Sequence, residues 1–191
     1  MTGTNYIDLY LRETEEIIKS IDRASIHSFI ECIASLVERK GRLFICGVGG
    51  SAANASHAVN DFRKILGIES YAPSDNVSEL TARVNDESWE DSYVNWLKIS
   101  NVRAKDCVMV FSVGGGSEHT SKNLVKCMDH ANEKGATVVS IVSRDGGYAR
   151  KVSDACILVP VISEEHITPH AEGWQGVLWH MVVTCLRGAD R

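Results

Sequence analysis

Leu43-Phe44-Ile45-Cys46-Gly47-Val48-Gly49-Gly50-Ser51-Ala52-Ala53-Asn54-Ala55-Ser56-His57 is an apolar run that ends in glycines and then opens a helical pattern. Glycines let a backbone approach a ligand closely, and the free N–H groups of a helix's first turn point at it. The stretch therefore reads as a strand, an anion-binding turn and a helix. A second copy follows, where Val108-Met109-Val110-Phe111 runs into Ser112-Val113-Gly114-Gly115-Gly116-Ser117. Two such loops suit a ligand with a phosphate at one end and a polar body at the other.

Outward from these loops, strands alternate with helices. Apolar runs predict strands near 42–46, 107–111, 137–142 and 155–159, with a short one at 68–71. Helical spacing predicts helices near 52–66, 78–84, 88–99, 117–134 and 170–187. Short apolar strands spaced by helices indicate an α/β fold with a parallel sheet covered on both faces. Ligands of such sheets bind outside the carboxyl ends of the strands, where both glycine loops fall. Two helices precede the first strand, over about 6–22 and 25–40. The second carries Ile26, Phe29, Ile30, Ile33 and Val37 on one stripe and stops at Gly41. Their faces are more apolar than one sheet face requires, which predicts contacts in an oligomer. No linker or repeat divides the chain, so residues 1–191 read as a single domain.

A net charge of −5 gives no broad attraction to nucleic acid or anionic membranes. No 18-residue apolar run is present, and the first residues lack the charged and apolar parts of a signal peptide. The six cysteines include no Cys-x-x-Cys pair, and Cys46, Cys107 and Cys156 lie in or beside strand runs. They read as buried, reduced thiols of a cytoplasmic protein.

Three groups carry candidate chemistry. His57 and Asp61, four apart, share one face of the helix after the first loop, where they suit a metal or a proton-transfer pair. In the second loop Ser112, Ser117, Thr120 and Ser121 surround three glycines, with Ser117 placed to cap the next helix. No lysine follows in the manner of an ATPase P-loop, and the first loop lacks the third glycine of a dinucleotide fingerprint. The last helix opens at Thr168-Pro169 and carries His170, Glu172 and His180. Glu172 can serve as a first-turn acid, His180 as a core histidine, and His166 and His170 as loop residues beside the proline turn.

Taken together, these pieces resemble the sugar isomerase (SIS) domain family, and within it the phosphoheptose isomerases. The resemblance runs through the N-terminal helix pair, Gly47–Ser51, His57 with Asp61, Asn85-Asp86, Ser112–Ser117, Arg144-Asp145-Gly146-Gly147, and Glu172 with His180. It implies a three-layer αβα sandwich around a parallel five-stranded sheet. It also implies conversion of sedoheptulose 7-phosphate to glycero-manno-heptose 7-phosphate. On that resemblance Val48, Gly49, Gly50 and Ser51 line the substrate, Asn85 and Asp86 meet sugar hydroxyls, and Ser112, Val113, Gly114 and Ser117 hold the phosphate. His57, Asp61, Glu172 and His180 match zinc positions. Asp61 and His180 match the acid–base pair, with Glu172 in support. Assembly as a tetramer, with sites at subunit contacts, is implied as well.

The chain departs from the family's usual residues at four of these positions. Val48 replaces asparagine, Asp61 glutamate, Gly114 serine and Glu172 glutamine. Helix rise separates Glu172 from His180 by about 12 Å along one helix, so a single ion would not reach both from one copy. Two other readings remain: isomerisation of another ketose phosphate, and a non-catalytic SIS protein that binds a phosphosugar or a protein partner. Retention of His57, Asp61 and His180 argues for catalysis, since an adaptor has no need of them.

Overall fold

The structure, a computed structural model, describes residues 3–189. Its order is α1 (Gly3–Ser20), α2 (Arg23–Glu38), β1 (Leu43–Gly47), α3 (Gly50–Leu66), β2 (Ser70–Tyr71), α4 (Val77–Asp86) and α5 (Trp89–Ile99). There follow β3 (Cys107–Phe111), α6 (Lys122–Glu133), β4 (Thr137–Val142), α7 (Gly147–Val152), β5 (Ala155–Leu158), a 3-10 turn (Glu164–His166) and α8 (Ile167–Ala189). The five strands lie in the order β2-β1-β3-β4-β5, and every pairing is parallel.

Strand residues alternate between two cores, as the period of two demands. Leu43, Ile45, Met109, Phe111, Val139 and Ile141 face a core shared with α2, α3 and α8. Phe44, Cys46, Val108, Val110, Val138 and Val142 face one shared with α5 and α6. This is the expected sheet with helices on both faces. The order reverses direction between β1 and β3, so the loops leaving those two strands diverge and open a crevice between them.

Local chemistry sets the helix bounds. Asp22, Asn76 and Ser88 cap α2, α4 and α5 by accepting from the N–H groups of Ala24, Glu79 and Asp91. Gly67, left-handed at φ +67°, closes α3 with N–H bonds from Gly67 and Ile68 to Arg63 and Phe62 carbonyls. Gly41 ends the region of α2 for another reason: a β-carbon there would collide with the Lys105 carbonyl. On α2 it is Leu36 that is buried, while Val37 is exposed. Two predicted features differ. The helix expected from 117 begins at Lys122, because residues 112–121 are spent on a wide loop, and α7 is too short to give a periodic signal. All six cysteines are unpaired; Cys46 and Cys107 are buried as expected, while Cys156 is only half-buried, as is Cys32, and Cys185 is exposed. No described helix is long and apolar enough to cross a membrane.

Asp106 anchors the base of β3. Its side chain is fully buried and accepts from the Arg42 and Arg103 backbone N–H groups and from the Arg42 guanidinium, the last at 2.7 Å. Burial pushes this carboxyl up, but the Arg42 and backbone hydrogen bonds outweigh it and hold it below the usual carboxylate range. A depressed native pKa gives stability that is present above the unfolded value, about 3.9, and lost as pH falls through the native value. Urea midpoints measured down that acid range should fall in the wild type. Asp106→Asn should start less stable and show a shallower acid slope.

Candidate functional site

The turn after β1 uses Gly49 at φ +64° to enter α3. Across it lies α8. Ser51 accepts a hydrogen bond from Gln175 Nε2, and the Asn54 amide donates to Gln175 Oε1 and to the Glu172 carbonyl, at 2.9–3.0 Å. These bonds fix the register of α3 against α8. They also bring the Glu172 carboxylate over Gly50, where any β-carbon would collide with it. The negative group at the start of α3 is thus the chain's own side chain, which the helix dipole favours.

The second loop is open and polar. Ser112 Oγ accepts from Gly115 N–H, and Ser117 Oγ accepts from the N–H groups of His119 and Thr120. Ser117 therefore caps a turn inside the loop, and Ser121 precedes α6 instead. Gly115 and Gly116 stand at φ +74° and +82°, and their carbonyls accept from the N–H groups of Ala149 and Tyr148 on α7. Between the two loops is a cavity of about 460 Å³. It is lined by Val48 and Ser51 from the first loop, Ser112, Val113, Gly114 and Ser117 from the second, and Arg144 and Thr168 opposite. Arg144 is the only cation among the lining residues. It forms no ion pair among the described residues, and its Cδ lies 3.8 Å from where a β-carbon on Gly114 would be. The Glu172 carboxylate occupies the first loop, so hydroxyls, backbone N–H groups and the Arg144 cation make the second loop the part of this cavity suited to an anionic group.

His57 and Asp61 on α3 meet His180 on α8, and their donor atoms all lie within 4.8 Å of one another. His180 Nδ1–H donates to the Gly176 carbonyl at 2.6 Å. A carbonyl only accepts, so Nδ1 carries the proton and Nε2 is bare in the neutral ring. Nε2 faces Asp61 Oδ2 at 3.5 Å, and the Asn60 amide holds the other Asp61 oxygen at 2.9 Å. Two lone pairs so opposed call for a proton or a cation between them. Two imidazoles and a carboxylate are a donor set that zinc accepts, so the residues fit that ion. The Asp61 side chain is 13% exposed and that of His180 is 49%. Trp179, beside them, packs against both imidazoles.

Glu172 is not part of this group; within one chain it stands at Gly50 instead. Asn85 and Asp86 also lie apart. They are exposed at the end of α4, where the Asn85 amide donates to Asp86, and Asp86 borders a shallow depression with Glu79 and Arg83. Nor do His57, Asp61 and His180 line the cavity. From Ser51, which does, Asp61 is about 15 Å further along α3.

His166 and His170, expected as loop residues, are buried together with Glu13. Glu13 of α1 holds His166 and His170 at the start of α8. Two signals pointed there: the His-x-x-x-His spacing at a helix start, and a glutamate on the Tyr10–Glu13–Ile17 stripe of α1.

Residues 5–143 match the model of the SIS domain. A phosphoheptose isomerase of Nitratiruptor is 31% identical over 148 residues, covering 72% of this chain and 76% of the relative. One from Helicobacter pylori is 28% identical over 181 residues, covering 92% and 88%. The phosphoheptose isomerase structure from Neisseria gonorrhoeae superposes with a TM-score of 0.83 at 23% identity, over 97% of this chain and 96% of that one. A parallel sheet of order 2-1-3-4-5 with paired glycine loops at its reversal is thus joined to sequence likeness along most of its length, and the chain belongs to the SIS domain family and, within it, to the family of the phosphoheptose isomerases.

Proposed function

We propose that this sugar-phosphate isomerase interconverts sedoheptulose 7-phosphate and D-glycero-D-manno-heptose 7-phosphate. The observation that carries the reading is His180: a hydrogen bond fixes its tautomer and presents a bare Nε2 beside a carboxylate. Nε2 takes a proton from the carbon next to the carbonyl, and the electron pair moves to form a cis-enediol. Asp61 passes the proton of the C1 hydroxyl to the C2 oxygen, and His180 returns its proton to C2, which completes the isomerisation. Glu172 supports the reacting end. Asn85 and Asp86 meet sugar hydroxyls, and Val48, Gly49, Gly50 and Ser51 border the sugar. Ser112, Ser117 and the N–H groups of their loop hold the phosphate, with Arg144 supplying charge. With an ion bound, His57, Asp61 and His180 would hold Zn²⁺ and the ion would polarise the carbonyl oxygen as a Lewis acid; His180 Nε2 serves as the base in the form without the ion.

Phosphate cavity and proton-transfer group are separate in one chain, so the reading includes a subunit contact that brings one copy's cavity to the other's histidines. Exposed His57 and His180 beside exposed Val177 and Met181 support it, as do the exposed Tyr6, Ile7, Leu11 and Ile18 of α1. A homotetramer is the proposed form.

The test is direct. Purified protein with sedoheptulose 7-phosphate, with and without Zn²⁺, should form the aldose, and in D₂O it should place deuterium on the reacting carbon. Arg144→Ala should raise KM at least about tenfold with kcat nearly kept, since a charged hydrogen bond is worth about 1.5–3 kcal/mol. Absence of turnover with this and related ketose phosphates would leave a phosphosugar-binding protein.

A further inference from the structure

The side chains of Glu13, His166 and His170 meet far from the cavity's loops in sequence, where α1 crosses the start of α8. All three residues are more than nine-tenths buried, at 6%, 9% and 5% exposure. His166 Nδ1 and His170 Nε2 both lie 2.8 Å from the same carboxylate oxygen, Glu13 Oε2.

We propose that Glu13, His166 and His170 form a second metal site, a His₂Glu centre for a zinc-class divalent cation that fastens α1 to the head of α8. Three features argue for an ion rather than an ordinary ion pair. The histidines are four apart at the entry to α8, so both rings present one nitrogen to one point, while the carboxylate comes from a separate helix. The remaining nitrogen of His166 has its own partner: Nε2 is 3.3 Å from the Tyr6 hydroxyl. That is the outer hydrogen bond by which a metal-bound imidazole is oriented. Tyr10 stacks on His170 at 4.4 Å between ring centres, which fixes the second ring. Bonds of 2.0–2.2 Å in a tetrahedron put donors about 3.3–3.6 Å apart, so side-chain rotations that move the donors about 0.5–0.8 Å open the present 2.8 Å contacts to that spacing.

Such an ion acts through position. His170 is two residues before Glu172, whose carboxylate sits over Gly50, and two after Thr168, which lines the cavity. Holding the head of α8 against α1 fixes both of these groups at once.

The experiment uses full-length chain stripped by chelator and titrated with Co²⁺, read by bound metal and by the visible absorption of a four-coordinate ion. Because His57 and His180 can hold an ion too, the decisive protein is His57→Ala/His180→Ala, in which the Glu13 group is intact. It should bind about one equivalent and give that absorption. Adding Glu13→Gln, which keeps size and hydrogen bonding, should weaken binding about tenfold or more, because a carboxylate ligand is lost. Adding His166→Ala should abolish the absorption. The proposal is overturned if the double variant takes up no Co²⁺, or if Glu13→Gln leaves its affinity unchanged. Neither result depends on the isomerase reading.

Discussion

His180→Ala should lower kcat by about 10²–10⁴-fold, the range lost when a positioned general acid–base is removed. The side chain is half-exposed, stacks on Trp179 and donates only to a carbonyl of its own helix. Its removal opens no core cavity, so thermal unfolding should move by less than the change expected of a surface substitution, about 0.5 kcal/mol. The pairing of a large kinetic loss with an unchanged fold is what assigns chemistry to the residue. KM for the sugar phosphate should change little, because the proposed phosphate site is the second loop, far from the end of α8 that carries His180. Asp61→Asn should behave in the same direction, and combining the two should cost much less than the sum, as groups acting on one proton path do. A His180→Ala enzyme running at the wild-type rate would move the proton-transfer role elsewhere and leave the His57–Asp61–His180 group as a metal holder alone.

Much of this arrangement is legible in the amino-acid order. Strands such as Val108–Phe111 are apolar on both faces because helices cover both, and glycines follow the strands where the sheet order reverses. The i, i+4 pair His57 and Asp61 is visible from helical periodicity alone. What sequence spacing does not convey is which helix crosses which. Glu172 reads as a first-turn acid of α8, yet its place over Gly50 depends on the Asn54–Gln175 and Ser51–Gln175 bonds that set α3 against α8. Glu13, on α1's Tyr10–Glu13–Ile17 stripe, gains its partners only when the fold brings His166 and His170 to it from the other end of the chain. The start of α6 differs from the predicted 117 for a related reason: Ser117 satisfies a capping pattern, but its hydroxyl is used inside the loop, on the N–H groups of His119 and Thr120.

That loop is the subject of the second large effect. Gly115→Ala should reduce kcat/KM about 10²-fold, chiefly through weaker retention of the phosphate. Gly115 sits at φ +74°, a conformation costly for alanine, and its β-carbon would run into the Gly146 carbonyl. Gly147 meets the same barrier from the other side, against the Gly114 and Gly116 carbonyls. The two turns are therefore interlocked backbone to backbone, with no flexible side chain between them to give way. Accommodating a methyl group means shifting the 112–117 loop relative to Arg144, and a displacement of about 1 Å at a positioning group is enough for a 10²-fold loss. The same overpacking should cost about 1–3 kcal/mol of stability. Gly173→Ala is the matched control: on α8 with nothing within 4 Å of its β-carbon, it should keep full activity and unfold at the same or a slightly higher temperature. If Gly115→Ala instead kept both its kcat/KM and its inhibition by inorganic phosphate, the phosphate would have to be bound somewhere other than the loop after β3.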